Sequence, residues 1–188
     1  YISDKKTASN EMVLKGADIS KYHINPTTNY IIFKPESFQQ IAPTEMYRAK
    51  EKLLYRFISS QLVFAYDDKQ TLSLNSCNIV IPKIPGIKMK YVLAILNSRI
   101  AQFIYKREFN SLKVLRSHIE NIPIPTVDES TQDNIIALTE KLISGLEILE
   151  AEKVYDELDI LVSQVFNLNP DDFEIIKKAV DGENKFLA

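Results

Sequence analysis

The chain has 188 residues, 45% of them hydrophobic, and its 23 basic and 25 acidic side chains leave a formal net charge of −2. That is enough apolar material for one core, but no run of about 18 apolar residues is present to cross a bilayer. Cys77 is the single cysteine, which excludes an internal disulfide and suits a reducing, cytoplasmic setting. The near-neutral total conceals a split. Residues 1–125 hold 18 lysines and arginines against 10 acids, whereas residues 126–188 hold 5 against 15. A basic body joined to an acidic tail gives the body a possible polyanionic partner, since cations that neutralise phosphates release counterions. The opening Tyr1, in place of Met, is read as the start of a piece cut from a longer polypeptide.

Residues 1–10 are polar and expected to fray. Residues 11–19 carry a short apolar run closing at Lys15-Gly16, where glycine can supply a turn with positive φ. The β-branched and aromatic run at 29–34 predicts a strand ended by Pro35. Pro43 predicts the first turn of a helix through about residue 52, with Lys50 and Lys52 in its last turn complementing the dipole. Residues 53–67 contain two strand-like runs around Ser59-Ser60-Gln61, and residues 71–82 a third, with Asp67 to Gln70 as a tight connection. Tyr55, Phe57, Phe64 and Tyr66 within these strands are either platforms for stacked bases or sheet core.

Residues 88–125 are the centre of the chain. Met89, Leu93, Leu96, Ile100 and Phe103/Ile104 recur at spacings of three and four and predict one helix face, with Arg99, Gln102 and Lys106 on another line. Lys113 and Arg116 follow, and Ile122-Pro123-Ile124-Pro125 forces the chain out extended. After a polar linker, Ser130 and Asp133 resemble a capping box. Helices are expected at about 131–151, 153–168 and 170–181. Ile135, Leu138, Leu142 and Leu149 stripe the first, with Gly145 in its seam. Asn169-Pro170-Asp171-Asp172 starts the last. The fold class is therefore mixed α/β (α+β): a body over 1–125 with a mixed sheet and supporting helices, and an all-helical acidic tail over 126–188.

Chemistry is sparse. His23, His118 and Cys77 have no metal-ligand spacing, and glycines at 16, 86, 145 and 182 build no phosphate loop. Asp67-Asp68-Lys69 and Glu183-Asn184-Lys185 are carboxylate–lysine groupings of the kind metal-dependent nucleases use. They sit in a hairpin and at the chain's end, where convergence with further acids is not expected. The chain reads as non-catalytic.

Five segments in order carry a family resemblance: KGADISKYHI with NYIIF; KEKLLYRFISSQLVFAYDDKQTLSLNSCNIVIP; YVLAILNSRIAQFIY, containing Leu96-Asn97-Ser98; ENIPIP leading into a helix; and YDELDILVSQVFNLNPDDFEIIKKAV. Together the chain resembles the TaqI-like C-terminal specificity (target-recognition) domain of adenine-specific DNA methyltransferases and fused type IIG restriction–modification enzymes. The resemblance covers most of residues 11–181. It implies a domain that docks on double-stranded DNA and reads base edges in the major groove, beside a covalently linked upstream domain that flips the target adenine.

The methylase N/D-P-P-Y/F motif and the S-adenosylmethionine motif are absent, and Asn25-Pro26-Thr27 is no substitute. No cofactor is expected in this chain. The parent polypeptide is expected to use S-adenosylmethionine, and Mg2+ if it cleaves DNA. The candidate DNA contacts are Arg48, Lys50, Arg56, Lys69, Lys83, Lys88, Lys90, Arg99, Lys106, Arg107, Lys113 and Arg116, with Gln70, Asn75, Asn78 and Asn110 as amides able to pair with adenine. For each, a solvated surface charge or turn residue is the competing reading. The competing function is a protein-interaction module docking through the acidic helices of residues 130–181.

Overall fold

The structure, a computed structural model, describes residues 2–182. In chain order its body contains β1 (Glu11–Leu14), β2 (Tyr30–Ile31), a short helix α1 (Thr44–Tyr47), β3 (Lys52–Arg56), β4 (Phe64–Asp67), β5 (Leu72–Ser73) and β6 (Cys77–Val80). They form two three-stranded sheets. One has the order β2-β1-β5, with β1 antiparallel to β2 and parallel to β5. The other, β4-β3-β6, is antiparallel throughout. The fold class is mixed α+β, as the sequence indicates.

Several local expectations shift. The strand expected at 29–34 narrows to β2. Ser3 and Tyr30 exchange two backbone hydrogen bonds, so the N-terminal segment is tied down there. The helix after Pro43 stops at Tyr47, and Lys52 lies at the start of β3 instead. Its ammonium is fully buried, ion-paired to Asp67 and bonded to the Tyr47 carbonyl, and burial without such partners would be prohibitive. Gly16 sits in a 3-10 turn without positive φ. Its need is room: a Cβ there would lie 2.5 Å from the Ser76 carbonyl oxygen.

The predicted helix over residues 88–106 is two helices, α2 (Met89–Asn97) and α3 (Arg99–Glu108). Ser98 adopts extended dihedrals between them, and its hydroxyl accepts from Ala101 N, which caps α3. Residues 91–97 of α2 are buried without a break, so α2 is a central helix covered on every side. A single hydrophobic cluster joins it to Leu53 and Phe64 of the second sheet, and also to Ile135, Leu158 and Phe173 of the tail. Each such side chain contributes roughly 1.5–3 kcal/mol on burial.

After α4 (Arg116–Glu120), the tail comprises α5 (Glu129–Ser144), α6 (Ile148–Val165) and α7 (Pro170–Asp181). Asp128, not Ser130, caps α5, because its carboxylate accepts from Thr131 N. Gly145, at φ 83°, terminates that helix instead of lying in its seam, and Leu149 is consequently exposed. Asn169 caps α7 as expected. The tail packs on the body: α5 against α2, and α7 against α3.

Charge follows the same seam. Lys88 pairs with Glu129 and Asp133, Lys90 with Glu140, and Arg99 with Asp156, Asp159 and Asp181. Part of the basic excess of the body is therefore answered by the acids of its own tail.

Candidate nucleic-acid interface

The interface begins from a buried carboxylate. Asp67 ends β4, is 1% exposed and anchors everything that follows it. It accepts from Lys52 Nζ, from Lys69 N at 3.3 Å, and from Thr71 N and Oγ1 at 2.9 and 2.7 Å. These bonds close the 67–71 loop tightly enough to hold Gln70 in the left-handed region at φ 56°. Gln70 Nε2 then donates to the Arg48 carbonyl at 2.8 Å, which locks this loop to the one between α1 and β3.

Arg48 is fixed in turn. Its two terminal nitrogens grip Glu11 at 2.7 and 2.8 Å, and its guanidinium lies 5.2 Å over the Phe33 ring. The hydrogen bonds from Arg48 hold the Glu11 carboxyl below its ordinary value, against a smaller effect of burial. On this rigid corner Lys50 and Lys69 are exposed and make no ion pair among the described residues. Four candidates from the sequence (Arg48, Lys50, Lys69 and Gln70) are thus brought together. Two carry exposed charge, and Gln70 carries an exposed amide whose Nε2 is bonded to the Arg48 carbonyl.

A second set surrounds the end of α3. Arg107 is exposed over the Phe103 ring, Lys106 is half-buried, and Asn110 is exposed at φ 39°. Lys113 is exposed in a segment held to residues 57–59 by Ser59 N to Leu112 O and Val114 N to Phe57 O, at 2.9 and 2.8 Å.

Elsewhere the candidates scatter or turn inward. Arg116 is exposed and bonded to Glu120 at 2.6 Å. It lines a groove with Lys83. Asn75 is exposed, and Asn78 leans on the Tyr55 hydroxyl at 3.4 Å. Arg56 points into the body, donating twice to the Ile19 carbonyl.

Arg99 is the clearest correction. It is 6% exposed, bound by three aspartates of the tail and stacked 4.6 Å over the Tyr155 ring, so its charge is not offered to an outside polyanion. Burial opposes that charge, yet the bond to Asp181 and the neighbouring acids raise its pKa. Burial pushes Asp159 up to about 6 despite Arg99 beside it. Lys88 and Lys90 are likewise engaged with the tail, and Lys90 Nζ sits 5.0 Å from the Tyr66 ring. The aromatics of the strands take the core reading: Tyr55 and Phe64 are buried, and Phe57 and Tyr66 half-buried.

The sequence reading missed the organisers Glu11 and Asp67 and the role of Asn97. Its amide donates to the Phe64 carbonyl and accepts from Phe64 N, both at 2.9 Å. Gln102 accepts from Leu62 N at 2.7 Å. Both close the outer edge of β4. The signals were faint: an acid four residues before Thr71, and amides inside an apolar helix. Asp67 is committed to Lys52 and to its loop, and among the described residues no cluster of three or more His, Cys, Asp or Glu could hold a metal ion. Glu183-Asn184-Lys185 lies outside the described residues.

The family model for the TaqI-like C-terminal specificity domain matches residues 11–124. The chain belongs to this family. The match ends inside the Ile122-Pro123-Ile124-Pro125 segment. A search among curated proteins finds no match. Among solved structures, one of the type IIL restriction–modification enzyme MmeI in complex with DNA aligns with a TM-score of 0.62 at 12% identity, over 93% of this chain and 30% of that one. The shared fold therefore extends beyond the family match to most of the helical tail, and this chain spans under a third of the MmeI chain.

Proposed function

We propose that this chain is the target-recognition module of a DNA restriction–modification enzyme. In this reading it grips double-stranded DNA and sets a separate adenine methyltransferase domain, and a nuclease where the parent has one, on the recognised site. Membership in a specificity-domain family and the likeness to a chain solved with DNA support it. The observation that carries it here is the corner of Arg48, Lys50, Lys69 and Gln70. Lysines there contact phosphate while Gln70 faces base edges in the major groove. Lys106, Arg107, Asn110 and Lys113 give a second flank, and Lys83 and Arg116 outlying contacts.

The test is duplex binding by the full chain as a function of salt. Reversing both corner lysines (Lys50→Glu with Lys69→Glu) should weaken binding at least tenfold and reduce the log–log salt slope by about 2. The same reversal at Lys153, on the outer face of α6, serves as control. An unchanged slope in the double variant would rule the corner out. Docking through the acidic helices draws less support, because the apolar stripes of α5, α6 and α7 are buried in the common core and many tail acids already pair with the body.

A further inference from the structure

Strand β6 is the open edge of its sheet. The bond from Phe57 N to Ser76 O, at 3.0 Å, sets the phase of its pairing with β3, in which Arg56 faces Cys77 and Leu53 faces Val80. Antiparallel alternation then turns the N–H and C=O of Asn78 and Val80 toward β3, and those of Cys77 and Ile79 away from it. Cys77 N is satisfied by the Leu74 carbonyl at 2.8 Å. The outward N–H and C=O of Ile79 meet no partner among the described residues. Pro82 ends the strand-like stretch that follows.

This unpaired donor–acceptor couple lies where two hollows meet. One, of about 480 Å³, is walled by Phe33, Phe38, Tyr47 and Leu72, and the other, of about 570 Å³, by Tyr55, Val92, Ile119 and Ile124; Ile79 lines both. Lys83 stands exposed on the second hollow and makes no ion pair among the described residues.

We infer that the β6 edge receives an extended peptide strand from a protein partner, with apolar side chains at alternate positions entering the hollows and an acidic residue meeting Lys83. A peptide supplies both a carbonyl for the Ile79 N–H and an N–H for the Ile79 carbonyl, and alternate side chains of a strand point to opposite faces. Duplex DNA fits worse: the outward carbonyl repels phosphate, and most of the lining side chains are apolar. This surface adjoins the Arg48–Gln70 corner through Phe33, on whose ring Arg48 lies, but Lys50 and Lys69 line neither hollow. Peptide and DNA compete only for Lys83 and Arg116, and the duplex arm of the test separates them.

Amide hydrogen exchange by NMR on the full chain tests the inference. The probes are a panel of acetylated peptides alternating valine or isoleucine with threonine and glutamate, the same peptides N-methylated at alternate residues, and a DNA duplex. The expected result is at least tenfold slower exchange at Ile79 with an unmodified peptide, none with the N-methylated ones, and loss of binding in Ile79→Pro. Proline is tolerated where an edge N–H faces away from the ladder, and the N-methylated peptides decide the matter even if that variant misfolds. No protection by any peptide, equal protection by the N-methylated forms, or protection of Ile79 by duplex DNA alone would overturn it.

Discussion

Asn97 and Phe64 are joined by two hydrogen bonds of 2.9 Å, in which one side-chain amide imitates the neighbouring strand that the edge strand β4 lacks. The break between α2 and α3 makes this possible. It leaves the Asn97 carbonyl outside the helical ladder, where it accepts from Tyr155 Oη at 2.9 Å and Lys21 Nζ at 3.4 Å. Asn97 therefore ties the sheet, the central helix and the tail at one point. Burial holds the Lys21 ammonium pKa well below its ordinary value.

Replacing Asn97 with alanine should strand the Phe64 N–H without a partner and weaken the Phe64 carbonyl's set, which still receives Tyr22 N. The expected loss is on the order of 2–4 kcal/mol, read as a lower urea midpoint. Asn97→Asp should recover only part of it, because it keeps the acceptor and repels the carbonyl.

Arg99→Glu should fail through folding, with no specific effect on DNA contact. Removing the cation leaves Asp159 buried and uncompensated, a cost of about 3–5 kcal/mol. Thermal denaturation should show the loss, and limited proteolysis should release the tail. A variant of wild-type stability that merely binds DNA less well would contradict this assignment.

Asp159 should also leave a pH signature. Its folded pKa of about 6 lies above the ordinary 3.8, so between these values the native state holds the proton more firmly than the unfolded one. The contribution is fully present below about pH 4 and is lost as pH rises through 6, on the order of 3 kcal/mol. Urea denaturation at several pH values should show the stability of wild type relative to Asp159→Asn falling across that window. Glu11, held low by Arg48, acts in the opposite sense, and the comparison with Asp159→Asn cancels it.

Gly16→Ala should destabilise by about 1–3 kcal/mol although the backbone there is ordinary, because the new methyl meets the Ser76 carbonyl, a backbone atom that cannot swing aside. Equal stability by urea denaturation would show that the 3-10 turn shifts freely.

Gln70→Gly keeps the left-handed backbone and removes the amide together with its bond to the Arg48 carbonyl. If Gln70 reads a base edge, duplex binding should lose about 1–3 kcal/mol of discrimination at one base pair with the salt slope unchanged. A changed slope with intact discrimination would assign Gln70 to phosphate positioning.

The sequence by itself determined the mixed fold class, the family, the charge contrast between residues 1–125 and 126–188, and α7 to the residue at its start, where Asn169 and Pro170 are local signals. It did not show that α2 and α3 are separate, because the same three- and four-residue apolar spacing continues across Ser98, and only the capping geometry reveals the break. Nor did it separate the cations. Lys52 and Arg99 look like surface charges along the chain, yet they are buried against Asp67 and Asp159, 15 and 60 residues away. Lys50 and Lys69 look no different and remain exposed. Helix caps and apolar periods are local properties of the chain, whereas the availability of a charge to a partner depends on which acids the tertiary structure brings within bonding distance.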